Sequence, residues 1–233
     1  MIGDIALVGG EEFRTGCEEM DLNIMQSSGQ NPVNVLIIPT AAVTGPEKAS
    51  NDGARHFSGL GGITKRLMVL DNKHANSEEF IEQIKGAGVI YFTGGSPDHL
   101  LTSLKGSLLW EQILVERSKG AIIAGSSAGA MVLGQMMRRP RLGGWVEALS
   151  AVPGIATLPH HENSDPDQIY RQLEPQVNSG LTILGIDART GCIGQSGSWR
   201  VVGGGKVTRY DQSGWVIYES GTDFFTIAIS GIY

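Results

Sequence analysis

The sequence predicts an α/β protein: a doubly wound, mostly parallel sheet followed by a C-terminal antiparallel β-extension. Three observations lead there. Short apolar runs of strand length alternate with helix-type segments as far as "LTILGID" (181–187). Runs such as "NVLIIPT" (34–40) are almost continuously apolar, as a parallel strand covered on both faces must be. Glycine, 33 residues of 233, is about twice its usual share of roughly 7%, and it recurs at the ends of these runs rather than in one block.

In chain order, "DIALVGG" (4–10) reads as a strand ending in a glycine turn, and 11–28 as a helix. The strand 34–40 stops at Pro39, a helix spans 46–58, and "ITKRLMVL" (63–70) is the third strand. "NSEEFIEQIKGAG" (76–88) has a cap at Asn76 or Ser77, acids in its first turn and a terminal glycine, the marks of a helix. "GVIYFTGG" (88–95) is a strand. Ser96-Pro97-Asp98 then gives N-cap, N1 proline and acid in order, which starts a helix. "GAIIAGS" (120–126) is a strand backed by a helix at 127–137. "GIATLPH" (154–160) and 181–187 are strands separated by a helix at 165–178. Beyond 190, "GCIGQSG", "SWRVVGGGKVTRYD" and "GWVIYESG" read as short antiparallel strands on Gly-rich turns. The whole chain, 1–233, is read as one domain, with 190–233 as its β-extension.

Composition narrows the function classes. A net charge of −6 and a pI near 5.4 argue against a nucleic-acid partner, which calls for a basic face. The one compact basic cluster, Arg138-Arg139-Pro140-Arg141, reads as a solvated loop, or as a contact for an acidic substrate. Cys17 and Cys192 lie far apart without metal or disulfide spacing and read as buried thiols in a reducing compartment. No apolar run approaches the roughly 18 residues of a membrane span, and "MIGDIALVGG" lacks a basic n-region. The expectation is a cytoplasmic protein with no membrane partner, no cofactor and no metal.

"AGSSAGAMVLG" (124–134) carries the chemistry. Gly125-Ser126-Ser127-Ala128-Gly129 fits G-x-S-x-G at a strand-to-helix turn, where close packing demands small residues two positions either side of a nucleophile. Only Ser127 has glycine at both places; Ser126 has Ala124 and Ala128. The turn lies beyond the carboxyl ends of parallel strands, where such sheets bind ligands. A base is needed, and histidine is the usual one. His56 and His74 have polar neighbours and read as exposed, and His99 in a first helical turn reads as structural. His160 and His161 end a predicted strand at the same sheet edge as Ser127. The orienting acid is open among Asp187, Glu162 and Glu147. Asp187 is favoured because it closes a buried strand and would be held rigidly. "YFTGGSP" offers Gly95 as an oxyanion donor, with the N–H of Ala128 as its partner.

With these residues in place, the chain resembles the S51 serine peptidases, the family of peptidase E (aspartyl dipeptidase) and cyanophycinase. "LVGGEE" (7–12), "VLIIPTAA" (35–42), "YFTGGSPDHLL" (91–101), "AGSSAGAMVLG", "LPHHEN" (158–163) and "LGIDARTG" (184–191) occur in the family's order at similar spacings. The resemblance implies a class I glutamine-amidotransferase-like (flavodoxin-like) fold. It also implies Ser127 as nucleophile, His160 as base, and Gly95 with Ala128 as oxyanion hole. "LPHHEN" resembles the peptidase E stretch Asn-Pro-His-Phe-Thr-Asn, which favours His160 over His161. The chain departs from the cyanophycinase pattern: that subfamily's Asp-Gln-His-Phe is missing, and its glutamate after Gly-Ile-Asp falls on Ala188. Peptidase E draws its acid from between serine and histidine, where this chain has only Glu147. The expected partner is a short peptide substrate, and a homodimer is carried as a further expectation. An esterase-like hydrolase and an inactive binding module are the competing readings.

Overall fold

The computed structural model describes residues 1–195 and 197–226. In chain order the elements are β1 (Ile5–Val8), α1 (Glu18–Ser27), β2 (Asn34–Ile38), α2 (Pro46–Gly59), β3 (Ile63–Arg66), α3 (Glu78–Glu82), β4 (Val89–Phe92), α4 (Pro97–Leu104), α5 (Leu108–Ser118) and β5 (Ile122–Ser126). They continue as α6 (Ala128–Leu133), β6 (Met136–Arg138), β7 (Trp145–Glu147), β8 (Ile155–Pro159), α7 (Pro166–Asn178), β9 (Thr182–Ile186) and β10 (Thr190–Gln195). Last come β11 (Ser198–Gly203), β12 (Lys206–Asp211), β13 (Gly214–Glu219) and β14 (Asp223–Phe225). The end of the predicted extension, 227–233, and Ser196 lie outside the described residues.

The central sheet has eight strands in the order β14-β11-β10-β1-β5-β4-β2-β3. The half from β1 to β3 is parallel throughout, and β10, β11 and β14 add to it antiparallel. Successive residues of a strand face opposite sides. On β1, Ile5 and Leu7 enter the core of one face, and Ala6 and Val8 that of the other. Both faces are apolar, so both must be covered. Met20 and Ile24 of α1 and Phe57 of α2 cover one; Leu100 and Leu104 of α4, Ile113 of α5 and Leu133 of α6 cover the other. Each such side chain contributes about 1.5–3 kcal/mol on burial.

Several expectations change in the structure. β8 and β9 pair in parallel, but they belong to a second, four-stranded sheet, β13-β12-β9-β8, not to the central one. β1 explains this: β5 takes one of its edges and β10 the other, so no edge is left for β9. The predicted helix at 11–28 begins only at Glu18. Residues 11–17 form an irregular segment with Glu11 at φ +59° and Phe13 at φ +63°, conformations that break a helix. The predicted helix at 127–137 ends at Leu133, and Met136–Arg138 pairs with Trp145–Glu147 as a hairpin. β3 is shorter than its apolar run, and a second helix, α5, follows α4. Among the described residues no helix is long and apolar enough to cross a membrane.

Candidate active site

Three turns meet at the carboxyl ends of β1, β4 and β5. After β5, Ser127 takes φ +49° and ψ −106°, a backbone conformation costly for any residue with a side chain. Its N–H donates to the Val8 carbonyl at 2.9 Å, which pins the turn to β1. The flanking glycines allow that geometry. A Cβ on Gly125 would sit 2.5 Å from the carbonyl carbon of Gly129, and one on Gly129 would sit 2.7 Å from the Phe92 carbonyl oxygen.

His160 follows β8 at φ +55°. Its N–H donates to the Gly9 carbonyl at 2.8 Å, and its ring lies over Gly10, where a Cβ would stand 2.2 Å from Cε1. So seated, His160 Nε2 is 3.1 Å from Ser127 Oγ, within hydrogen-bond reach. His161 turns the other way. It is buried, pairs with the Tyr210 hydroxyl at 2.7 Å, and fills the space beside Gly185. Burial lowers its pKa, against the pull of Glu162.

Gly95 lines the same cleft as Ser127 and His160, at φ +141°. A Cβ there would collide with the Ala41 carbonyl at 2.0 Å, so only glycine fits. Among the described residues the Gly95 N–H has no acceptor. Ala128 opens α6, so its N–H has no acceptor within the helix.

The three candidate acids are arranged differently. Glu147 is exposed on β7, ion-pairs with Lys105 at 3.7 Å and makes no hydrogen bond to His160 among the described residues. Asp187, the acid the sequence favours, accepts the Lys206 N–H at 3.0 Å and makes no hydrogen bond to His160 among the described residues. Burial raises its pKa, the Lys206 N–H opposes this, and Glu162 adds to it. Glu162 accepts the Ala188 N–H at 2.9 Å through one oxygen. Burial disfavours its charge. That is outweighed by backbone N–H bonds from Ala188 and itself and by nearby His160 and His161, so its pKa lies below the ordinary value.

Glu12 also faces this candidate site, which the sequence does not reveal because 11–28 reads as a helix there. It accepts the Gly94 N–H at 2.7 Å and the Ser126 hydroxyl at 2.8 Å. The signal in the sequence is the acidic pair Glu11-Glu12 after a glycine turn at a strand end. His56, which reads as exposed in the sequence, packs its side chain inward and bonds the fully buried Asp21 at 2.8 Å. His99 has a structural partner, the Leu70 carbonyl at 2.8 Å. In the basic cluster, Arg139 pairs with Asp98 at 2.7 Å. Both cysteines are buried and free, and burial pushes the Cys17 thiol up to about 11.

The cleft over Ser127 and His160 has a volume of about 460 Å³. A neighbouring cleft of about 650 Å³ shares Glu12, Phe13, Arg14, Lys48 and Asp52 with it.

A strained serine at a strand-to-helix turn, with a histidine nitrogen in reach and free backbone N–H groups beside it, has the arrangement of a serine hydrolase. The comparisons specify it further. The model of peptidase family S51 matches residues 5–202; the chain belongs to that family and is a serine peptidase. Among solved structures, a peptidase from an acI-B1 Actinobacterium is similar at 28% identity and TM-score 0.81, over 97% of this chain and 98% of that one. A "Putative Peptidase E Protein" from Listeria monocytogenes EGD-e shares the fold at 18% identity and TM-score 0.58, over 94% and 99% of the two chains. No curated protein matches the chain.

Proposed function

We propose that the protein hydrolyses short peptides as an exopeptidase, with Ser127 as nucleophile and His160 as general base. The observation that carries this is the 3.1 Å approach of His160 Nε2 to the hydroxyl of a serine held at φ +49°. Ser127 Oγ attacks the peptide carbonyl carbon while Nε2 takes its proton. Charge developing on the carbonyl oxygen is met by the N–H groups of Gly95 and Ala128. The protonated His160 then gives its proton to the leaving amine nitrogen as the C–N bond breaks. A water molecule, deprotonated by His160, attacks the acyl-enzyme and releases the acid product and free Ser127.

For the acid beside His160 we favour Glu162 over Asp187. The nearby His160 helps hold Glu162 in its charged form, whereas Asp187 is held by the Lys206 N–H. The cleft volume is in the range that encloses a drug-sized molecule, which suits a di- or tripeptide. Around the two clefts Arg14, Lys48, Arg55 and Arg189 outnumber Glu11, Glu12 and Asp52 by one, a balance compatible with the terminal carboxylate of a short substrate. We read the fold as amidotransferase-like, the chain as one domain, and its location as cytoplasmic.

The test is a dipeptide and tripeptide library, read by mass spectrometry, with wild type and Ser127→Ala. Turnover should fall by about 10⁶-fold in Ser127→Ala, to the level left by binding and the oxyanion hole. Full activity in that variant rules the mechanism out. Efficient internal cleavage of unfolded casein rules out the exopeptidase assignment. Turnover of simple esters with none of peptides favours the esterase-like reading.

A further inference from the structure

We propose that Glu12 is a positioning residue of this reaction: its carboxylate clamps the turn that carries the oxyanion donor to the turn that carries the nucleophile. The inference rests on the reading that Ser127 attacks and Gly95 receives the developing charge. One carboxylate oxygen accepts the Gly94 N–H at 2.7 Å, one residue before Gly95. The other accepts the Ser126 hydroxyl at 2.8 Å, one residue before Ser127. Gly94 lies just beyond β4 and Ser126 ends β5, neighbours in the ladder with Phe92 opposite Gly125. Glu12 arrives from a third strand, β1. No other side chain bonds both turns among the described residues.

The surroundings are shaped to hold Glu12 there. It sits between Glu11 and Phe13, both at positive φ, so the backbone is bent on either side of it. Phe13 is anchored in turn against Tyr91 and Phe57, with ring centroids 5.2 and 5.9 Å away. Gly94 leaves the space the carboxylate needs: a Cβ there would lie 2.8 Å from Glu12 Oε1 and 3.4 Å from Ser127 Cβ. Unlike Glu11, Glu12 has no ion-pair partner among the described residues; its two oxygens serve the two turns.

A negative charge next to an oxyanion site opposes the charge that develops there. The benefit of Glu12 is therefore geometric, and that separates it from a group acting by its charge. Glutamine can keep both contacts without the charge: its amide oxygen accepts from Gly94, and its NH₂ donates to a reoriented Ser126 hydroxyl. Alanine can keep neither.

The experiment measures kcat and KM for the best substrate of the peptide library, alongside thermal melting, in wild type, Ser127→Ala, Glu12→Ala, Glu12→Gln and Gly94→Ala. Glu12→Ala should lower kcat about 10²-fold, the scale of a misplaced reacting geometry or a lost oxyanion donor, with KM within about threefold. Glu12→Gln should stay within about threefold of wild type, and Gly94→Ala should reproduce the Glu12→Ala loss from the other side of the contact. A folded Glu12→Ala with wild-type kcat overturns the proposal. So does a Glu12→Gln as impaired as Glu12→Ala, which makes the charge the active property, or a loss confined to KM, which makes Glu12 a substrate ligand. If Glu12→Ala does not fold, Gly94→Ala decides: wild-type kcat there overturns the proposal. A dead Ser127→Ala beside an unimpaired Glu12→Ala removes this proposal alone, whereas an active Ser127→Ala removes the underlying reading with it.

Discussion

The turns after β5 and β1 follow adjacent parallel strands, with Ser126 opposite Val8, yet they use glycine for different ends. At the end of β5, Gly125 and Gly129 relieve crowding, and the positive φ falls on Ser127 between them. After β1, Gly10 itself takes φ +122°, and the space its missing Cβ leaves is filled by the ring of His160 from the other sheet. One turn shapes its own serine. The other seats a residue 150 positions away in sequence. The proposed nucleophile is thus a local construction and its proposed base a tertiary one.

Gly10→Ala breaks the second turn and is expected to have the largest effect of the changes that leave Ser127 and His160 in place. The new methyl would overlap the His160 ring, and a reacting group displaced by about 1 Å costs about 10²-fold in kcat. Alanine at that φ adds a strain of order 1–3 kcal/mol, read as a lower urea midpoint. Gly125→Ala attacks the first turn through backbone overlap with Gly129 and should destabilise by a similar 1–3 kcal/mol. A Gly10→Ala enzyme with wild-type kcat would mean that the β1 turn does not seat the base.

Glu162 and Asp187 lie on the His160 side of this division. Glu162 is exposed, and no carboxylate hydrogen-bonds the second ring nitrogen of His160 among the described residues, so the loss should be smaller than for a fully engaged triad acid. Glu162→Gln is expected to lower kcat about tenfold, or about 1.4 kcal/mol of barrier. Asp187→Asn should stay within about threefold. The reverse order in steady-state kinetics would restore Asp187 as the orienting group, with a drop approaching 10⁴-fold if it acted as a triad aspartate.

What could be read in the sequence divides along the same line. The β-α alternation, the glycine-flanked Ser127 and the paired histidines are encoded within a few residues each, and the structure has a strand-to-helix turn where the small residues crowd. Continuous apolar runs did reveal strands buried on both faces. They could not reveal that β8 and β9 leave the central sheet, because that depends on β10 occupying the second edge of β1, a pairing between residues far apart. Glu12 was hidden for a related reason. Residues 11–17 contain acids that fit a first helical turn, and only the positive φ values of Glu11 and Phe13 show that no helix forms there. The acid beside His160 was hardest to read, since a side chain's partner is a property of tertiary packing.

The neighbouring histidines give the smallest effect on turnover and a clean contrast in kind. His160 is exposed and faces Ser127; His161 is buried against Tyr210, and its pKa is lowered by that burial. An unfolded histidine titrates near 6.5. As pH falls through that value the unfolded chain takes up a proton that the folded His161 still refuses, so folding stability is lost from there down to the lowered folded pKa. Urea unfolding should therefore show stability declining below about pH 6.5. His161→Gln, whose amide can still bond the Tyr210 hydroxyl, should flatten that decline and leave kcat within about threefold of wild type. Tyr210→Phe strands the buried ring nitrogen and should cost about 1–3 kcal/mol at pH 7.5 with turnover again preserved. A His161→Gln enzyme that folds normally but loses turnover as His160→Gln does would make the two histidines a functional pair, and the division between a base and a packing residue would not stand.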